Sequence, residues 1–341
     1  MGNEKVMMHK LLPFQGDLRM NHIMLLSFFL CFQVFQGFAS DFIRQISTIN
    51  IPNAPLAYNA SCIECDEGFL LVFRHDEYRA PLSEDYFYQR IGLVKLDDKF
   101  TPTENPTICH ELGNRAYDPR IVKIGDKIYL TYVSARPTDI DSFRSSQICL
   151  TEVDVSKKDY KLSQPLPLIP PSLQTWEKNW VPFDYQGSLM LGYNINPHVI
   201  FSPSLNTGVC SHLFTTAPSI TWHQGIIRGG TPAILVDDEY LAIFHSSCHN
   251  HITGRRTYYM GAYTFQSQPP FCVTRTSTIP FSHVDFYSTP KCPLTPSDVI
   301  FPGSIVIKGN SIFVVYGEND CGIKVMELDK DLLYQSLKSV H

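Results

Sequence analysis

Ionisable side chains crowd five separate stretches of this chain: Arg74, His75 and Asp76; Asp118 and Arg120; Glu177, Lys178 and Asn179; Arg228 and His245; and Glu318, Asn319 and Asp320. Carboxylates and cations gathered in a water-poor cup shift one another's pKa values and attract anions, so such a set reads as acid chemistry beside an anion subsite. Each residue also has a plainer role open to it. Asp118, which precedes Pro119, could bond its own backbone in a turn, and Lys178 and Arg228 could tie neighbouring sheets together by salt bridges.

A repeat supplies the means of bringing these stretches together. From Ser61 to Leu328 one pattern recurs five times, an apolar run, a Gly or acidic turn and a second run ending in an aromatic residue, Arg or His. The copies begin near Ser61, Asp118, Pro182, Thr231 and Phe301, and each is followed by a third strand-like run: Arg90–Asp97, Ile148–Asp154, His198–Ser202, Tyr259–Phe265 and Gly322–Asp329. Short strands at this spacing, without a convincing helix, predict an all-β fold: a five-bladed β-propeller of antiparallel blades. The first two strands of a blade lie nearest the axis, so residues that start the first and end the second share one axial mouth.

Composition sets further bounds. With 341 residues and 44% hydrophobic content the chain can bury a large core, and a net charge of -5 supplies no basic field for nucleic acid or an anionic membrane. Residues 1–39 read as an N-terminal segment carrying a signal peptide, with the apolar run Ile23 to Phe38 and small residues Gly37 and Ala39 marking cleavage after Ala39. Residues 40–341 form the single propeller domain. Export follows, to a periplasm, a secretory lumen or the medium, with no stable membrane association once the signal is cleaved. An uncleaved segment would leave a membrane anchor.

Nine cysteines, Cys62 to Cys321, would remain, an odd number whose pairing the sequence does not fix. Cys62-x-x-Cys65 and Cys248-His-Asn-His251 lack the four-ligand pattern of a zinc site, so no metal is expected. Asn59-Ala-Ser61 fits an N-glycosylation acceptor.

At Tyr117-Asp-Pro-Arg-Ile-Val-Lys-Ile-Gly-Asp-Lys-Ile-Tyr-Leu-Thr-Tyr132 the chain resembles glycoside hydrolase family 130, the β-mannoside phosphorylases and related mannosidases. Four further segments extend the resemblance over roughly residues 55 to 330: Leu71-Val-Phe-Arg74 with Gln89-Arg-Ile-Gly-Leu93, Glu177-Lys-Asn-Trp-Val-Pro-Phe183 with Ile195-Asn-Pro-His198, Gly229-Gly-Thr-Pro232 with Phe244-His245, and Phe301-Pro-Gly303 with Tyr316-Gly-Glu-Asn-Asp320. The resemblance implies a five-bladed propeller that transfers a glycosyl group with inversion, with Asp118 as general acid, phosphate or water attacking the opposite face, and no cofactor beyond inorganic phosphate as co-substrate where phosphorolysis is the reaction. Arg74, Arg90, Lys178 and His245 match basic positions around the family's sugar and phosphate subsites, and Asp320 resembles a sugar-hydroxyl ligand. One position departs: the family carries an acid directly before this Asp, where this chain has Tyr117.

The leading expectation is phosphorolysis or hydrolysis of mannosides or related β-linked glycans. Arg120, Asn179 and Arg228 would join the binding set, and Glu177 or Glu318 would serve as base if water attacks. Export favours hydrolysis or simple binding, because little controlled phosphate is met outside the cell. Two alternatives stand beside it: a catalytically silent glycan-binding propeller, and an arabinanase- or fructosidase-like hydrolase using three carboxylates from successive blades. The oligomeric state is not legible.

Overall fold

The computed structural model describes residues 39–340 apart from 79–86, 137–144, 157–159, 250, 253 and 293–296. The apolar run Ile23 to Phe38, expected to be a signal, and Asn250 therefore lie outside the described residues. The rest builds five antiparallel sheets in a ring, the five-bladed propeller expected from the repeat.

Blade 1 consists of Ala57–Cys65, Gly68–Tyr78, Phe87–Leu96 and Thr107–Cys109. Blade 2 has Ala116–Ile124, Lys127–Ala135 and Ser146–Asp154, edged by Lys161–Leu162 and Leu166–Pro167. Val181–Tyr185, Ser188–Ile195, His198–Pro203 and Cys210–Thr216 make blade 3. In blade 4, Arg228–Gly229 and Ile234–Val236 share the innermost place ahead of Glu239–His249, Arg256–Gln266 and Val273–Thr276. Blade 5 runs Ile300–Lys308, Ser311–Glu318 and Gly322–Asp329.

The outermost strand of blade 5 comes from the opposite end of the chain. Ile43–Ile49 pairs antiparallel with Gly322–Asp329, so the first strand and the last blade close the ring together. A short helix, Lys330–Ser336, follows, capped by the Asp329 carboxylate accepting from the Leu332 N–H, and Lys338–Ser339 then adds to the outer edge of blade 4. The repeat pattern contained neither the closure strand nor this helix.

Strand alternation explains why the blades stack. In Gly68–Tyr78, Leu70 and Val72 face blade 2 while Phe69, Leu71 and Phe73 face blade 5, and all are buried. Each sheet is thus apolar on both faces, and five apolar clusters fill the five gaps between neighbouring blades. Near the axis the inner strands come too close for side chains. A Cβ on Gly303 would sit 1.7 Å from the Ala60 carbonyl oxygen, which is why blade 5 needs glycine there.

Candidate active site at one mouth of the propeller

The inner strands of blades 1, 2 and 5 break register at the same place. The shifts fall between Tyr58 and Ser61, between Tyr117 and Arg120, and between Pro302 and Ser304. A β-bulge re-aims the side chain it carries, and here two bulged residues take left-handed backbone angles, Asn59 at φ 46 and Asp118 at φ 50. Asn and Asp are the non-glycine residues that tolerate this region best. The two side chains meet, with Asn59 Nδ2 donating to Asp118 Oδ1 at 2.9 Å.

Around that carboxylate the other blades supply charge. Arg74, within the second strand of blade 1, sits 3.7 Å from Asp118 Oδ1. Its guanidinium is held by Asp76 through two hydrogen bonds of 2.8 and 2.9 Å and lies over the Tyr58 ring at 4.6 Å. Burial pulls the Arg74 pKa down, but Asp76, Tyr58 and Asp118 outweigh it and hold the group charged. Tyr58 donates to Asp76 Oδ2, the oxygen that also accepts from Arg74 Nη2, at 2.7 Å. Tyr117, the departure from the family pattern, is buried and stacks against Arg74 at 5.3 Å.

On the far side of Asp118 the cations lack such partners. Arg120 is 4% exposed and spends its N–H groups on the backbone oxygens of Asp118, Pro119 and Gly230, leaving Nη2 without a hydrogen bond. Burial lowers it to about 10, against the pull of Asp118. Lys178 is exposed, yet it has lost enough hydration that its pKa falls, with Arg228 and Arg256 adding to the effect and Asp118 opposing it. His245 stands opposite Arg228 in the blade 4 ladder. Burial, then Arg120, Arg228 and Lys178, push its imidazole down to about 3, so it is neutral near pH 7. Among the described residues none of Arg120, Lys178 and Arg228 is in an ion pair. Asp320 completes the ring from blade 5, at φ 51, within electrostatic reach of Tyr58 and Tyr258.

Blades 1, 2, 4 and 5 and the segment leading into blade 3 thus converge on Asp118 as the axial argument required. Other members of the expected set do different work. Glu177 is buried with Oε1 accepting from the Gln174 N–H at 2.7 Å and Oε2 from Trp180 Nε1 at 3.2 Å. Glu318 is fully buried, accepts from the N–H groups of Tyr287 and Thr289 and pairs with Lys324 at 3.1 Å. Asn319 likewise bonds the backbone of Tyr287, Thr289 and Val299. Arg90 is paired with Glu77 at 3.2 Å and bonds the Gly113 carbonyl, on the outer side of Arg74. Asn179 lines a small cavity with Asp118, Arg120 and Trp180.

Sequence reasoning missed Asn59, Tyr58, Arg256 and Tyr258 as pocket residues. The signal for the first two was the parallel between Tyr58-Asn-Ala-Ser61 and Tyr117-Asp-Pro-Arg120. The N-glycosylation reading of Asn59 is corrected by the same geometry: the side chain is 4% exposed and bonded to Asp118, beyond the reach of a glycan-transferring enzyme once the chain is folded. A wider cavity opens at the opposite mouth, lined by Glu64, Asp66, Lys123, Asp184 and Asp237. Its acids are not gathered on a common centre: Asp184 accepts from the Gly125 and Gly187 N–H groups, and Glu64 and Asp237 face Lys308 and Lys330. We therefore place the chemistry at the Asp118 mouth despite its smaller volume.

Fold and pocket together define a five-bladed propeller with a charged axial cup, an arrangement suited to polyhydroxylated or anionic ligands. The sequence profile described as beta-1,4-mannooligosaccharide phosphorylase, that of glycoside hydrolase family 130, matches residues 36–338. The chain belongs to glycoside hydrolase family 130, the family of mannoside phosphorylases and hydrolases. Solved structures share the fold at low identity. A proposed glycoside hydrolase from Parabacteroides distasonis is 14% identical with a TM-score of 0.64, covering 88% of this chain and 99% of that one. The β-1,2-mannobiose phosphorylase of Listeria innocua is 16% identical with a TM-score of 0.57, at coverages of 85% and 92%. A mannose phosphorylase from Leishmania mexicana, solved with a phosphate ion, is 12% identical with a TM-score of 0.60, at 94% and 98%. No curated protein sequence matches the chain at a significant level.

Proposed function

We propose that this chain is an inverting mannoside phosphorylase, with Asp118 as general acid and inorganic phosphate as the nucleophile. The observation that carries the reading is the distribution of carboxylates and cations around Asp118. An inverting hydrolase needs a second, free carboxylate to activate water. Glu177 and Glu318 are spent on backbone N–H groups and Lys324, and Asp76 is spent on Arg74 and Tyr58. Asp320 lies within electrostatic reach of Tyr58 and Tyr258, and the family resemblance assigns it to sugar hydroxyls. Among the described residues the cations Arg120, Lys178 and Arg228 form no ion pair, and Asp118 is the carboxylate that acts on Arg120 and Lys178. A phosphate dianion would neutralise that cluster, and it brings its own nucleophilic oxygen.

In this reading a protonated Asp118 gives its proton to the leaving glycosidic oxygen, directly or through a sugar hydroxyl, while phosphate attacks the anomeric carbon from the opposite face. Asn59 orients the Asp118 carboxyl. Neutral His245 offers a hydrogen bond rather than a charge, and Arg74, already paired, shapes the sugar subsite. The test is product analysis on a panel of β-mannobioses with and without phosphate. Mannose 1-phosphate formed only when phosphate is present supports the reading. Free mannose released equally in phosphate-free buffer would replace it with hydrolysis, and binding without turnover with a lectin-like role.

A further inference from the structure

Two thiols that this chemistry does not use lie together behind the pocket wall. Cys292 is buried and Cys321 half-buried, and neither is in a disulfide. The Cys292 N–H donates to the Asn319 carbonyl at 3.2 Å, which fixes its segment beside the 318–321 turn, and that turn is itself closed by the Cys321 N–H donating to the Glu318 carbonyl at 3.1 Å. Their sulfurs are in hydrogen-bonding contact. Between them in sequence lies the turn of Asn319 and Asp320, with both residues in left-handed geometry at φ 54 and 51, and Asp320 faces Tyr58 and Tyr258 of the pocket.

We infer that Cys292 and Cys321 form a disulfide when the folded chain meets a small-molecule disulfide, locking the Asp320 turn onto the 287–292 segment. The half-buried Cys321, as thiolate, attacks one sulfur of glutathione disulfide and expels one glutathione thiolate. Cys292 then loses its proton, attacks the Cys321 sulfur and expels the second glutathione. Two protein thiols become one disulfide, and one glutathione disulfide becomes two glutathiones. Burial, with Cys292 and Asp320 beside it, pushes the Cys321 thiol up to about 11, so the first step is slow and the second, between sulfurs already in contact, is fast. The other cysteine pair close in sequence cannot compete. Cys62 and Cys65 lie three residues apart in the extended strand Ala57–Cys65, about 10 Å along it, beyond disulfide reach.

The inference is independent of the catalytic reading and is tested on the full chain without substrate. The reduced protein is incubated with glutathione disulfide, remaining thiols are alkylated, and peptides are mapped by mass spectrometry. The expected result is a cross-linked Cys292–Cys321 peptide as the first oxidised species, with a melting temperature raised by about 5–10 °C and restored by dithiothreitol. Cys292→Ser and Cys321→Ser should each abolish both the cross-link and the shift. Stable mixed glutathione adducts on either sulfur, or oxidation at other cysteines while these two stay reduced, would overturn it. The wild-type mapping decides even if one variant fails to fold.

Discussion

Replacing Asp118 by Asn removes one ionisable proton and little else. The φ of 50 at this position is one that Asn adopts as readily as Asp. The bond from Asn59 Nδ2 at 2.9 Å survives, because an amide oxygen accepts as a carboxylate oxygen does. What is lost is the attraction to Arg74 at 3.7 Å, with Arg74 keeping Asp76, and the pull on Arg120 and Lys178. The expected stability change is therefore small, about 0.5–1.5 kcal/mol. The expected activity change is large. A positioned general acid is worth about 10²–10⁴-fold, or about 3–5 kcal/mol on the barrier. That loss should appear in kcat on a β-mannobiose, whose leaving alkoxide needs the proton. On a dinitrophenyl β-mannoside, whose leaving group departs unaided, the loss should stay below about tenfold. The assay is initial rates on both substrates at saturating phosphate, with urea unfolding as the stability control. Equal losses on the two substrates, or an unchanged rate on the disaccharide, would refute the acid assignment.

Other consequences follow from the same geometry. Lys178→Met should raise the KM for phosphate at least about tenfold while leaving stability nearly untouched, since the side chain makes no ion pair among the described residues and is exposed. Glu318→Ala should act oppositely, lowering stability by about 3–5 kcal/mol because Lys324 and two backbone N–H groups lose a buried partner, and any activity loss should track unfolding in a thermal inactivation assay. Leu71→Ala should cost about 2–5 kcal/mol in urea unfolding, emptying the gap between blades 1 and 5.

Acidification should destabilise the fold through two histidines. Burial lowers His198 to about 4 and His245 to about 3. For a depressed pKa the stability is fully present above the unfolded value near 6.5 and is lost as pH falls towards the folded value. At pH 4.5 each histidine should have cost about 2–3 kcal/mol. His198→Asn should flatten the dependence measured by urea unfolding at pH 7 and 4.5.

The repeat was legible because each blade buries both faces of its inner strands, which leaves apolar runs such as Phe69-Leu-Leu-Val-Phe73 at regular spacing. The closure strand Ile43–Ile49 was not legible, since its middle residues are largely exposed and its pairing partner lies at the far end of the chain. In the pocket, Asp118, Lys178, His245 and Asp320 could be read from strand-end positions. Glu177 and Glu318 occupy comparable positions, yet their carboxylates turn to local N–H groups, a choice set by loop conformation that spacing does not encode. Arg256 and Tyr258 escaped notice because the third strand of blade 4 starts at Arg256, ahead of the run Tyr259–Phe265 that the repeat marks out.

The most direct test of the account is a crystal structure of the protein soaked with phosphate and mannose. The account predicts the anion bonded to Lys178 and His245, with Arg120 or Arg228 beside it, and the sugar lying between that anion and the Asp118 carboxyl. An anion seated instead at the opposite mouth near Lys123, or a sugar bound with Asp118 out of hydrogen-bonding reach of its glycosidic side, would contradict it.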